Sequence, residues 1–207
     1  GHSAVPHRAA KAVLAGARIV TLLGDLAAET AKSAKRDDAF DPPYTTIHVG
    51  SLHGGSALNL VPDRAVLEYE IRNIPDNDGG VPTLLKRIEA GIAAERDALR
   101  GSAPEADILI EKIAAYPQLA TPAGHPAIAA VAALANTDAK PRTVSFGTEA
   151  GLYAEAGIPT VICGPGDMTR AHRADEWIGL DELTATDRIL ERLAAKLRLP
   201  AATWMTT

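Results

Sequence analysis

The sequence is short of nearly everything that would mark it for a membrane, an oxidising compartment or a nucleic acid. A single cysteine, Cys163, stands in 207 residues. Neither an intrachain disulfide nor a thiolate zinc cluster is available, and a reducing, cytoplasmic setting is expected. Aromatic side chains make up only 4% of the chain, so the cores must be built from Ala, Val, Ile and Leu, and base stacking on aromatic platforms is disfavoured. Lys and Arg number 21 against 26 Asp and Glu, a formal charge of −5, which is the wrong sign for a polyanion, and no nucleic-acid partner is expected. No apolar run approaches the roughly 20 residues that span a bilayer, and no charged n-region with an apolar h-region opens the chain. No membrane partner is expected either. Met does not open the chain, which begins Gly1-His2-Ser3, as expected of a processed product or part of a longer protein.

What is present is ordinary globular material: 46% hydrophobic and 23% charged residues, enough for one or two domains with cores. Residues 8–33 are expected to be helical, because Ile19, Leu22, Leu23 and Leu26 recur at helical spacing. After the loop 34–44, Thr45–Leu52 reads as a strand and Gly54-Gly55 as a turn or bulge. Arg64–Arg72 is the clearest strand, with Ala65, Leu67, Tyr69 and Ile71 on one face and Glu68, Glu70 and Arg72 on the other. A helix over about 81–100 carries Leu85, Ile88, Ile92 and Leu99 on one stripe, and a strand near Asp107–Ile113 follows. This α, β, β, α, β order is ferredoxin-like with its first strand missing or cut short.

Pro117, Pro122, Gly124 and Pro126 mark a crossover over 116–126. Beyond it the spacing predicts helices over 126–137, 148–157 and 181–197, the last with Leu183, Leu190, Leu193 and Leu197 on one face. Short strands are expected at Arg142–Phe146 and Thr160–Cys163. Helices alternating with apolar strands point to a parallel α/β sheet, yet two strands are too few to build one, so this region resembles half of a domain. The expected division is 1–115 and 116–207.

Several residues carry potential chemistry. His172 ends the run Gly164-Pro165-Gly166-Asp167-Met168-Thr169-Arg170-Ala171-His172, a loop leaving the C-terminal end of the apolar strand, where open α/β sheets place ligands. It is either a metal ligand or a surface histidine. One imidazole does not make a zinc site, which needs three or four ligands, and neither a His-x-Asp segment nor a Glu-Glu pair supplies the others. Glu149, in Gly147-Thr148-Glu149-Ala150-Gly151, stands at a helix start, where a carboxylate receives an amine-bearing substrate or meets the helix dipole. Asn59 reads as a turn residue and His2 as part of a tail, while Arg72 is either a cross-strand ion-pair partner or a fork onto a substrate carboxylate.

Taken together, Gly1-His2-Ser3-Ala4, Phe40-Asp41-Pro42-Pro43-Tyr44-Thr45-Thr46, Gly54-Gly55-Ser56-Ala57-Leu58-Asn59-Leu60-Val61-Pro62, Glu70-Ile71-Arg72-Asn73, Gly147-Thr148-Glu149-Ala150-Gly151, and Cys163-Gly164-Pro165-Gly166 with Ala171-His172 and Asp175-Glu176 resemble the acetylornithine deacetylase family. The wider group, metallopeptidase family 20, includes succinyl-diaminopimelate desuccinylase and glutamate carboxypeptidase. The resemblance implies a ferredoxin-like α+β dimerisation (lid) domain followed by the C-terminal part of a zinc-peptidase-like α/β catalytic domain. It further implies a homodimer formed through the lid, an N-acyl amino acid substrate such as N-acetyl-L-ornithine, and two zinc ions, with cobalt as a substitute. By the same resemblance His172 ligates a metal, Glu149 lines the substrate pocket, His2 stabilises the tetrahedral oxyanion across the dimer, and Asn59 and Arg72 grip the substrate carboxylate. Two metals would polarise the amide and lower the pKa of a bridging water, a carboxylate base would take its proton, and an imidazole would meet the developing charge. The family's other metal ligands and its catalytic Glu lie in an N-terminal half that this sequence lacks, so the chain alone is expected to be inactive. A non-catalytic dimerisation or binding module derived from the family is the alternative. A ferredoxin-like RNA binder is disfavoured by the acidic charge and by the lack of an aromatic RNP-type strand.

Overall fold

A computed structural model describes residues 3–4, 9–33, 36–75 and 80–199. The chain divides into two compact units: one comprises residues 1–118 with 143–147, the other 119–142 with 148–207.

The first unit is two helices on one face of a β-hairpin. Helix α1 spans Ala12–Ser33, strand β1 Thr46–Gly54, strand β2 Ala65–Arg72 and helix α2 Gly80–Arg100. The strands pair antiparallel, with Thr46 opposite Arg72 at one end, Gly54 opposite Ala65 at the other, and a register shift between Val49 and Ser51. The irregularity therefore falls at Gly50, while Gly55 makes the turn with φ +82°, a conformation that suits glycine. Exposure alternates residue by residue along β2, as its sequence pattern requires. Ile47, Val49, Leu67, Tyr69 and Ile71 pack against a helical cluster of Ile19, Leu23, Leu26, Leu84, Ile88 and Ile92. Leu23 and Ile88 are 0% exposed.

The helices run antiparallel, as their ion pairs show: Arg18 meets Glu95 at 2.9 Å, whereas Glu29, about three turns later, accepts a two-pronged contact from Arg87 at 2.7 Å. The core phase of α2 differs from the expected one by a single residue. Leu84 is buried and Leu85 is 38% exposed, because the positions facing α1 and the sheet follow the i, i+4 series 84, 88, 92.

The strand expected near 107–113 does not form. A strand exists only by pairing with a neighbour, and among the described residues nothing pairs with this segment. Arginines of α2 hold its start instead. Arg96 donates to the Ile108 carbonyl at 2.6 and 3.2 Å, and both Arg96 and Arg100 reach Asp107. Leu109 and Ile113 beyond are 86% and 80% exposed.

The second unit is lightly buried. Helix α3 spans Pro126–Ala135, α4 Ala150–Glu155 and α5 Leu180–Leu197. The start of α3 is fixed by Pro126 and by His125, whose Nδ1 accepts the Ala127 N–H at 3.1 Å. Its end is fixed by Asn136 in the left-handed conformation. Arg192 of α5 donates to the Leu134 carbonyl at the end of α3. The strands expected at Arg142–Phe146 and Thr160–Cys163 are likewise unpaired in the described structure, although the Thr121 hydroxyl donates to the Thr160 carbonyl at 2.6 Å. Of the expected apolar face of α5, Leu183, Leu190 and Leu197 are exposed and Leu193 is half-buried, and Ala150 and Gly151 are the buried residues described in this unit. The mixed α/β class expected from the sequence is what forms, as helices with one small antiparallel sheet. No helix among the described residues is long and apolar enough to cross a membrane.

Truncating either sealed core residue should be costly: Leu23→Ala and Ile88→Ala are each expected to destabilise the first unit by about 2–5 kcal/mol. Gly54→Ala should also destabilise it, because an added Cβ would sit 2.9 Å from the Arg64 carbonyl oxygen and 2.8 Å from a Val13 methyl. Urea unfolding followed by circular dichroism measures all three.

Candidate functional site

Two of the candidate residues belong to the first unit. Asn59 is exposed in the loop that closes the hairpin. A turn that brings the Leu60 N–H to the Ala57 carbonyl at 3.3 Å shapes this loop, and the Pro62 carbonyl anchors it by accepting the Ala12 N–H at the start of α1. The Asn59 carbonyl accepts the Ser3 N–H at 3.2 Å. The residue that follows His2 in sequence is therefore tied to the Asn59 turn. His2 itself lies outside the described residues.

Arg72 closes the other end of the hairpin, opposite Thr46. Eight residues of β2 at about 3.3 Å each place it more than about 20 Å along the strand from the Asn59 loop. Its guanidinium is already engaged: Nε and Nη2 fork onto the Glu70 carboxylate at 2.8 and 3.2 Å, and Nη1 donates to the Ser145 carbonyl at 2.9 Å. Segment 143–147 is fixed to this unit by two further bonds, from the Ser145 hydroxyl to the Asp41 carbonyl and from the Thr143 hydroxyl to the Ala39 carbonyl. The cross-strand role for Arg72 becomes a same-strand one, since Glu70 and Arg72 are i, i+2 neighbours on the wet face. The Arg72 hydrogen bond lowers the Glu70 pKa below the usual carboxylate range; burial opposes this, and the charges of Arg72 and His48 add to it.

Glu149 and His172 belong to the second unit. Glu149 is the N-cap position of α4, and its side chain makes no cap hydrogen bond. It stands exposed, immediately before the buried Ala150 and Gly151. His172 is exposed in the loop between Gly164 and Gly179, with φ +56°, and its N–H donates to Glu176 Oε2 at 2.9 Å. Glu176, which the sequence offers as a carboxylate able to cap or solvate this loop, caps it at the His172 N–H.

Zinc asks for three or four nitrogen, oxygen or sulfur ligands. Among the described residues no group of three His, Cys, Asp or Glu side chains is arranged to hold a metal. His172 can offer one imidazole, and these residues by themselves do not fit a zinc centre. A recess of about 130 Å³ lies in the first unit beside Leu14, Arg18, Glu95 and Leu99; it contains none of the candidate residues.

Residues 1–97 match the model of a peptidase dimerisation domain. The acetylornithine deacetylase of Myxococcus xanthus is 32% identical over 195 residues, covering 94% of this chain and 49% of that protein. The acetylornithine deacetylase of Aliivibrio fischeri is 28% identical over 201 residues, covering 95% of this chain and 49% of that protein. The chain thus spans about half the length of the curated relatives it matches. In fold it is similar to a tripeptidase from Staphylococcus aureus, with a TM-score of 0.62 at 20% identity over 93% of this chain and 47% of that one.

Glu70 gives a pH prediction. A carboxylate whose folded pKa is lowered contributes its stabilisation in full above the ordinary glutamate value of about 4.3 and loses it as the pH falls through the folded value. The Arg72 Nε–H resonance should therefore remain protected from exchange between pH 7 and pH 5 and lose protection in more acid solution. Glu70→Gln should lose it at every pH. Nuclear magnetic resonance of the guanidinium reads this directly.

Proposed function

Taking as premise that this chain belongs to peptidase family 20 and carries its dimerisation domain over residues 1–97, we propose that it is the lid and the C-terminal catalytic portion of a metal-dependent amidohydrolase that removes the acyl group from N-acetyl-L-ornithine or a similar N-acyl amino acid. The observation that carries this most strongly is the match to acetylornithine deacetylases over 94% of the chain. The motif residues run through both units, and the likeness is not confined to the dimerisation domain.

The proposed roles follow from what each side chain can do. The protein acts as a homodimer through the first unit. His2 meets the oxyanion that develops on the scissile carbonyl, and it does so across the dimer. Asn59 accepts the N–H of the neighbouring Ser3 on its carbonyl. Arg72 lies at the opposite end of the hairpin, too far to share one carboxylate with Asn59 of the same chain, and takes the substrate carboxylate by itself. A substrate carboxylate would replace Glu70 as its forked partner, an exchange of one bidentate ion pair for another. Glu149, with no cap bond to satisfy, is free to receive the substrate amine. His172 is assigned to metal ligation, and the zinc implied by the resemblance would draw its remaining ligands from outside the described residues. No step of the reaction runs through a metal held by these residues alone, which supports an isolated chain without activity.

Purified chain supplied with zinc should leave N-acetyl-L-ornithine intact, and mixing it with a separately made N-terminal catalytic half of a relative should restore release of the free amine to ninhydrin. His172→Ala should abolish that restored activity, a loss of at least a hundredfold. Arg72→Ala should raise KM more than it lowers kcat. Activity of the chain alone would contradict the assignment of missing ligands. A folded dimer that stays silent in every mixture would favour a non-catalytic dimerisation module.

A further inference from the structure

We infer that Arg170 positions the loop bearing His172, acting through a clamp with Trp177 and Glu182. The inference rests on the role proposed for His172, and it concerns how this chain presents that imidazole.

The loop from Gly164 to Gly179 is unusual in its backbone. Three of its residues have positive φ, Gly166 at +96°, His172 at +56° and Asp175 at +58°. Glycine adopts such angles freely, whereas histidine and aspartate do so at a cost, and the conformation persists only where the surroundings over-determine it. An apolar core does not hold it here, since Met168, Trp177, Ile178 and Leu180 are all exposed.

Arg170 supplies the constraint instead. Its guanidinium lies over the Trp177 ring, 4.3 Å from the centroid, while Nη2 pairs with Glu182 Oε1. The second oxygen of the same carboxylate accepts the Gly179 N–H at 2.8 Å and so caps α5. One carboxylate therefore joins the middle of the loop to its end and to a helix. The other flank is closed by a turn in which the Arg170 N–H donates to the Asp167 carbonyl at 3.0 Å and Asp167 Oδ1 accepts the Thr169 N–H at 2.8 Å. His172 sits between this pinned arginine and Glu176, whose carboxylate takes the His172 N–H.

The clamp is polarised in a telling way. The Arg170 side chain is 18% exposed, and its Nε is buried with no partner among the described residues. An arginine serving only its own hydrogen bonds would not leave that donor empty. The planar ion is spent on stacking and on the single Nη2 contact to Glu182, both of which set the path of the loop. Lysine, a point charge on a flexible stem, does not offer the plane that stacks on Trp177. Arg173, three residues on in the same loop, is exposed and serves as a control of equal charge.

The test uses the 207-residue chain with isotope-labelled histidine and backbone amides. Arg170→Ala should speed exchange of the His172 amide at least tenfold and change the His172 amide–Hα coupling that reports its positive φ, with the α1 and α2 amides unchanged. Arg170→Lys should not rescue the signature, and Arg173→Ala should match the parent. Glu182→Gln and Trp177→Leu, which each remove one side of the clamp, should reproduce part of the change and keep the proposal open to refutation should Arg170→Ala fail to fold. An unchanged His172 signature in Arg170→Ala, or an equal change in Arg173→Ala, overturns the clamp. A role confined to stability would shift the unfolding midpoint and leave the His172 amide exchange and coupling of the folded protein where they were, which also overturns it. Failure of the role given to His172 reads out separately, as activity retained by His172→Ala in the mixed assay.

Discussion

Leu23 and Ile88 lose all solvent exposure where α1 and α2 meet over the hairpin, and the described structure depends on that burial. A two-stranded ribbon is marginal in water by itself, and amphipathic helices of this length owe most of their stability to packing of one face. Each element therefore needs the others. The surrounding contacts refine an arrangement the core has already set: Arg18 to Glu95 and Glu29 to Arg87 fix the antiparallel pairing of the helices, and Arg96 and Arg100 draw residues 106–108 along α2.

The second unit is built on a different principle. With its larger apolar side chains largely at the surface, it is organised by caps, turns and ion pairs: His125 and Asn136 on α3, Glu182 on α5, and Arg170 between Trp177 and Glu182. Such contacts are directional and local, and they suit the role proposed for the loop that bears His172. The proposed chemistry is divided accordingly, with substrate grip and oxyanion support on the unit that has a core and the metal-ligating histidine on the unit that has little. The match to a peptidase dimerisation domain falls within the first unit.

The sequence was most readable where one residue's neighbours in space are also its neighbours in the chain. The 3.6-residue recurrence of Ile19, Leu23 and Leu26 and the alternation from Ala65 to Arg72 each report which face is buried, and both elements form within a few residues of the expected bounds. The phase of α2 was harder, since Leu84 and Leu85 are equally apolar and only the partner helix selects between them. Strands at 107–113, 142–146 and 160–163 were not decidable from composition, because an apolar extended run becomes a strand only through a ladder with another segment. Among the candidate residues, Asn59, Arg72, Glu149 and His172 were visible through motif resemblance, and where each stands in the fold was not. The fork of Arg72 onto Glu70 and the stack of Arg170 on Trp177 depend on side-chain reach, which no spacing rule encodes.

The most direct test of this division of labour is residue-resolved hydrogen exchange on the intact chain. Amides of α1 near Leu23, of the β1–β2 ladder and of α2 near Ile88 should exchange last and together, as expected of one cooperative core, while those of α3, α5 and the Gly164–Gly179 loop exchange orders of magnitude faster. Protection in α3 and α5 that equals or outlasts that of α1 and α2 would contradict the account, because the second unit would then possess a core of its own.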